Sequence, residues 1–285
     1  MSAVRWDERP RLRRPILIAA FEGWNDAADG ASTAARYLAR AWDARPFGAI
    51  DPEEFYDFTV TRPQVSLVDG ITRRIDWPEA KLAAASLPGK PHDVVFLHAA
   101  EPQLRWRTFA ATVVGVATAL DVELALTLGA LLADVPHTHP VRVTGTAANQ
   151  QLARRLGLQR SRYEGPTGIV GVLHEALGRA AIPSASLWAT VPHYVSGTPS
   201  PKATLALVER ATSLLGVAID TVDLEVAASS YERQVSEVVA DDEDMAAYVR
   251  RLEDQDQDEE VPEVPSPDEL GDEVERFLRE QPPAD

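Results

Sequence analysis

Residues 15–42 read PILIAAFEGWNDAADGASTAARYLARAW, and three textures follow one another in them. Pro15 to Phe21 is a short apolar run carrying the β-branched Ile16 and Ile18, the pattern of a buried strand. The next nine residues, EGWNDAADG (22–30), are polar and turn-rich. From there to about Trp42, Ala34, Leu38 and Ala41 fall on one face of a helix. Asn25 is placed to cap that helix, with Asp26 and Asp29 in its positive first turn. A strand, a polar turn and a helix make the opening half of a βαβ unit, which puts the chain in the α/β class.

The same alternation continues outward from this unit. Residues 93–98 (DVVFLH) predict a buried strand, and 104–120 a helix with Phe109, Val113, Val116 and Leu120 on one face. Residues 123–131 and 141–146 predict two further strands. A short helix over 147–156 is stopped by Gly157, and a helix over 166–180 is entered with Pro near its first position. Residues 185–191 predict a strand, and 201–215 a helix ended by Gly216. Between the first two units, 65–77 (VSLVDGITRRIDW) predicts a β-hairpin, because Asp69-Gly70 is a strong type I′ turn signal. The expected architecture is a mostly parallel sheet with helices on both faces, a hairpin insertion and C-terminal helices.

Charge divides the chain. It carries 44 Asp and Glu against 28 Lys and Arg, a net of −16. Residues 241–285 hold 18 of the acids and 4 of the bases, a net of −14, so the remaining body is nearly neutral. Nothing here offers the cationic surface that nucleic-acid binding needs. No apolar run is long enough to span a bilayer, so no membrane partner is expected and the cytoplasm is the expected compartment. With no Cys, a disulfide scaffold, a thiolate metal site and a cysteine nucleophile are all excluded. The expected organisation is a basic N-terminal arm (1–14), an α/β core domain (15–235), an acidic helical and linker segment (236–265), and a docking helix (266–281). That last helix opens on a capping box, Ser266-Pro267-Asp268-Glu269, and carries Leu270, Val274, Phe277 and Leu278 at helical spacing.

Open α/β sheets bind ligands beyond the carboxyl ends of their strands. Glu22, Asn25 and Asp26 stand there after the first strand, and either hold a hydroxylated or cationic ligand or only cap the helix. His98, Glu101 and Arg105 follow the 93–98 strand, and His193 follows the 185–191 strand. Residues 163–171 (YEGPTGIVG) look like a glycine-rich loop at a helix start, with Thr167 able to donate its hydroxyl. The loop lacks a GxGxxG pattern or a following lysine, and Glu164 would repel a phosphate, so its glycines favour close packing. The candidate ligand-binding set is therefore Glu22, Asn25, Asp26, Glu101, Thr167 and His193, gathered in one recess around Asn25, Gly165 and His193. His137 and His139 form an HxH pair without a third ligand at recognisable spacing, so no metal is expected, and no sequence motif calls for a cofactor. Trp24, Trp106 and Trp188 near these turns read as core or subunit interface. No GxSxG elbow supports a hydrolase triad.

Five segments in order, FEGWNDAADGAS (21–32), EPQLRW (101–106), LGALLADVPHTHPVRVTGTAAN (128–149), YEGPTGIVGVL (163–173) and LWATVPHYV (187–195), resemble the actinobacterial branch of the proteasome assembly chaperone 2 family. The resemblance implies a three-layer α/β/α, Rossmann-like fold related to nucleoside phosphorylases and hydrolases. It also implies a homo-oligomer, a trimer, with the proteasome or another protein as partner. Archaeal and eukaryotic chaperones of this type dock through a C-terminal hydrophobic–tyrosine–any residue tail. Here the last residues are Pro283, Ala284 and Asp285, so docking through another surface is expected. Two functions follow from the resemblance: a non-catalytic assembly or interaction protein, or a small-molecule enzyme or sensor of nucleoside phosphorylase/hydrolase-like type that uses the crevice at the strand carboxyl ends.

Overall fold

The computed structural model describes residues 3–160 and 164–258. The first compact unit runs to Val238 and the second begins at Val239. In the first unit the chain enters with β1 (Val4–Trp6), β2 (Ile16–Glu22), α1 (Gly30–Ala41) and β3 (Arg45–Ile50). A hairpin of β4 (Gln64–Val68) and β5 (Thr72–Asp76) follows, then β6 (Ala80–Ala85), β7 (Val94–Ala100) and α2 (Trp106–Ala119). Next come β8 (Leu124–Ala133), β9 (Val143–Ala147), α3 (Gln150–Leu156) and β10 (Gln159–Arg160). The unit continues with α4 (Ile169–Arg179), β11 (Ser184–Pro192), α5 (Pro201–Leu215) and all but the last two residues of α6 (Val222–Ala240). In the second unit the chain forms α7 (Glu243–Asp258). The acidic linker beyond α7 and the docking helix expected over 266–281 lie outside the described residues.

Nine strands form one sheet in the order β1-β3-β6-β7-β2-β8-β11-β9-β10. The four central strands, β7, β2, β8 and β11, are parallel, as the alternation of strands and helices requires. The flanks add antiparallel strands: β6, β3 and β1 on one side, β9 on the other. Of the flanking strands, β1, β3, β6 and β10 carry no sequence signal that marks them out: β6 (AKLAAA) is alanine-rich, and β1 and β10 are too short to show a period.

Successive residues of β2 feed two separate cores. Ile18 and Ala20 pack with α1 and α5, while Leu17, Ala19 and Phe21 pack with α2 and α4. This is the three-layer α/β/α arrangement expected from the sequence, built by the period-two alternation of a strand buried on both faces. The hairpin turns through Asp69 and Gly70 with φ of 54° and 72°, the left-handed pair a type I′ turn needs.

Two local expectations are corrected. The first helix starts at Gly30, behind a 3₁₀ turn at Ala27–Asp29, and Asn25 does not cap it. Asp26 does so instead: its Oδ1 accepts from the N–H groups of Ala31 (2.7 Å) and Ser32 (3.1 Å). Its other oxygen is buried with no partner among the described residues, and burial raises the Asp26 carboxyl above its ordinary pKa. Replacing Asp26 by Ala removes the acceptor for two N–H groups and should cost about 1–2 kcal/mol in urea unfolding, with Asp26→Asn costing less because its oxygen remains. The helix expected from 166 begins only at Ile169, so Pro166 lies before it. The physical reason appears in the site: a distant carboxylate satisfies the first turn of α4.

Candidate functional site

Helix α4 covers the sheet only in part. Beyond it, at the carboxyl end of the parallel strands, one face of β11 and β9 is open and forms the floor of a recess of about 880 Å³. The floor residues follow from the pleat: Ser186 and Trp188 on β11 stand opposite Thr146 and Thr144 on β9. Val170 and His174 of α4, Leu131 and Leu132 at the end of β8, the Trp24-Asn25 turn and the Gly165–Gly168 loop make the walls. Trp188 lies with an indole face against Gly129 of the neighbouring strand. A Cβ at Gly129 would come within 2.5–2.8 Å of three atoms of the six-membered ring. A glycine inside a buried strand therefore makes room for the ring.

One hydrogen-bonded knot positions the wall. Asn25 Nδ2 donates to Glu101 Oε1 (2.9 Å), and the same oxygen accepts from Ile169 N (2.8 Å), the first N–H of α4. Glu101 thus caps α4 from a residue far away in sequence, and its negative charge sits at the positive end of the helix. Gly168 closes over this pair: a Cβ there would lie 2.6 Å from Glu101 Oε1 and 2.7 Å from Asn25 Nδ2. His174 completes the inner wall. Its Nδ1 is 2.8 Å from Ser184 Oγ and its Nε2 3.0 Å from Thr127 Oγ1, and burial lowers its pKa to about 4. Its imidazole is neutral at pH 7, with both nitrogens in use.

The six expected site residues divide. Asn25 and Thr167 line the recess together with Gly165, and Glu101 joins them through its bond to Asn25. Asp26 turns away into the start of α1. Glu22 pairs with Arg36 (2.9 Å) and lies 3.3 Å from His98, and these contacts, that with His98 foremost, hold its carboxyl below the usual range. His193 is not among the lining residues: its Nδ1 lies 3.1 Å from Asp134 Oδ1. The expectation that Asn25, Gly165 and His193 share one recess is corrected for His193, because the chain leaves β11 through a 3₁₀ turn, His193–Val195, that carries the imidazole to Asp134. Sequence reasoning missed His174 and the floor hydroxyls. The signal was present as Thr144/Thr146 and Ser186/Trp188 at strand spacing, with Gly129 interrupting an apolar run.

The HxH pair has a structural use. His137 is buried, with Nδ1 2.8 Å from Tyr194 Oη and Nε2 3.0 Å from Ser236 Oγ. Lys202 donates to the carbonyls of both His137 and His139 and pairs with Glu232. Among the described residues no group of three His, Cys, Asp or Glu is placed to hold a metal, and no helix is long and apolar enough to cross a membrane.

These features define a class: a three-layer α/β/α protein with a ligand-sized recess at the carboxyl ends of its parallel strands, where such sheets place their sites. Residues 20–239 match the sequence model of the PAC2 family, and the chain belongs to that family. It is 47% identical to a PAC2 family protein of Streptomyces avermitilis, covering 82% of this chain and 99% of that one, with a TM-score of 0.77. It is also 47% identical to a proteasome-assembly chaperone homologue of Mycobacterium tuberculosis, over 82% of this chain and 99% of that one, with a TM-score of 0.75. The fold, though little of the sequence, is shared with PbaB of Pyrococcus furiosus, an archaeal proteasome activator, at 17% identity, 82% and 97% coverage and a TM-score of 0.67. No curated protein matches.

Proposed function

We propose that this chain is a non-catalytic, proteasome-assembly-chaperone-like interaction protein that works in the cytoplasm as a homo-oligomer, a trimer. The observation that carries this reading is the 47% identity, across 82% of this chain and 99% of the homologue, to the mycobacterial chaperone homologue. The chemistry of the site supports it. Asp26 caps α1, Glu101 caps α4 and both nitrogens of His174 are engaged, so these titratable groups serve the fold.

The hairpin supports it from another direction. Val65 pairs with Ile75 and Leu67 with Arg73, so their side chains share one face, and Val65, Leu67 and Ile75 are all exposed. The opposite face is mostly polar, with Ser66 and Arg74 both bonded to Asp76 and Val68 opposite Thr72 at its end. A two-stranded ribbon with an uncovered apolar face gains little stability by itself and fits a protein contact.

The test is reconstitution. Full-length protein mixed with purified proteasome α-subunits should co-migrate with them in size-exclusion chromatography, and Leu67→Asp should weaken either that complex or the homo-oligomer. Absence of any complex at micromolar concentrations, with the native mass that of a monomer, would end the proposal.

A further inference from the structure

The interaction-protein reading leaves the recess unused. We infer that it binds an uncharged heteroaromatic ring bearing N–H donors, the class that includes neutral nucleobases and nucleosides.

Trp188 carries the first part of the argument. Its six-membered ring lies over Gly129, the side chain packs against the α2/α4 core and is half-buried, and the part left open lines the recess, where a flat ring can stack on it. Flat π-systems stack on an indole in offset geometry. Leu131, Leu132 and Val170 supply apolar contact around it, and Trp24, 65% exposed, stands at the mouth. The volume of about 880 Å³ falls within the range of small-molecule sites.

The polar groups select the chemistry. Thr146 Oγ1 and Ser186 Oγ share one hydrogen bond of 2.8 Å, which uses only one of their two protons and leaves the other to donate. Thr144 adds a third hydroxyl to the floor. Asn25 is 2% exposed, and its amide nitrogen is committed to Glu101. Its Oδ1 accepts from no described group, so it remains an acceptor for an N–H on a bound molecule.

Charge argues against an anion. Among the described lining residues there is no Lys or Arg, and the start of α4, where a phosphate would otherwise sit, is held by the Glu101 carboxylate. His174 is neutral and engaged at both nitrogens, so the geometry supports binding rather than proton transfer.

The experiment titrates full-length protein with adenosine, guanosine and uracil by calorimetry, with AMP, inorganic phosphate and methyl glucoside as comparisons. At least one of the three neutral ligands should bind saturably. AMP should bind more weakly than adenosine, and phosphate and methyl glucoside not at all. Trp188→Leu should weaken binding about tenfold or more, the size of a lost stacking contact. Thr144→Val, at an exposed position where folding is not at risk, should weaken binding with the melting temperature unchanged. Saturable binding of none of the three neutral ligands overturns the inference. So does preference for AMP, phosphate or methyl glucoside, or binding that survives both substitutions intact.

Discussion

Asp93→Ala should destabilise the protein by about 3 kcal/mol, among the largest single-site losses expected in the chain. Asp93 is 1% exposed and stands immediately before β7. Its Oδ2 accepts from Arg13 N (2.8 Å), and its Oδ1 from Leu87 N (3.1 Å) and from the Arg13 guanidinium (2.7 Å). Its backbone is joined to the same strand pair: Asp93 N donates to Arg13 O and Ile16 N donates to Asp93 O. The residue therefore ties the entry of β2 to the entry of β7, two of the four central parallel strands. Burial pushes its carboxyl up, but the hydrogen bonds from Arg13 and Leu87 outweigh this and hold it below the ordinary range. Removing the side chain leaves two backbone donors without an acceptor, each worth about 1–3 kcal/mol when buried. Most of the loss is expected from these donors, because the Arg13 side chain is itself 55% exposed and its ion pair is screened. Asp93→Asn keeps one acceptor oxygen and should lose roughly half as much. Urea unfolding of the three proteins at pH 7 measures both values. A loss below ~1 kcal/mol for the alanine variant would show that the clamp does not hold the strands.

Acidification from pH 6.5 to about 4 should cost about 3 kcal/mol through His174 alone, because its folded pKa is about 4 against an unfolded value of 6.5. In that window the unfolded chain binds a proton at this residue and the folded chain does not. Stability is therefore fully present above pH 6.5 and falls as the pH drops toward the folded pKa. Carboxylates held below their ordinary range, such as Asp93 and Glu22, also lose stability in acid, but only as the pH falls past the unfolded carboxylate values. Asp26, raised by burial, works in the opposite sense. His92 is lowered by burial too and adds to the fall in the same direction as His174. The measurement is the stability of wild type and His174→Gln between pH 7 and pH 4.5. The wild type should show the steeper fall. An imidazole resonance of His174 titrating near pH 6.5 in the folded protein would contradict the prediction.

Asn25 and Thr167 stand out by position, Asn25 after a buried strand and both before a helix, where open α/β sheets place their ligands. Their division of labour with Asp26 could not be read: either side chain suits a helix start, and only the 3₁₀ turn at Ala27–Asp29 decides that Asp26 reaches the N–H groups of α1. The rule that strand ends converge puts His193 in the recess, yet one turn of 3₁₀ helix is enough to carry it to Asp134. His174 gave no signal, because a histidine on the buried side of a helix looks the same whether it packs or lines a cavity.

Local sequence dictates the succession of elements and their class. Local preferences write these directly: apolar runs for β2, β7, β8 and β11, Gly157 and Gly216 in left-handed stops, and Asp69-Gly70 in the hairpin turn. The tertiary structure alone decided which strands border one another, that β9 runs antiparallel to β11, and that Glu101 caps a helix 68 residues later. Those outcomes depend on long-range pairing of groups whose local sequence is indifferent to the partner. A carboxylate, a glycine without a Cβ and an amide meet at Asn25, Glu101 and Gly168 only because the packed layers bring them there.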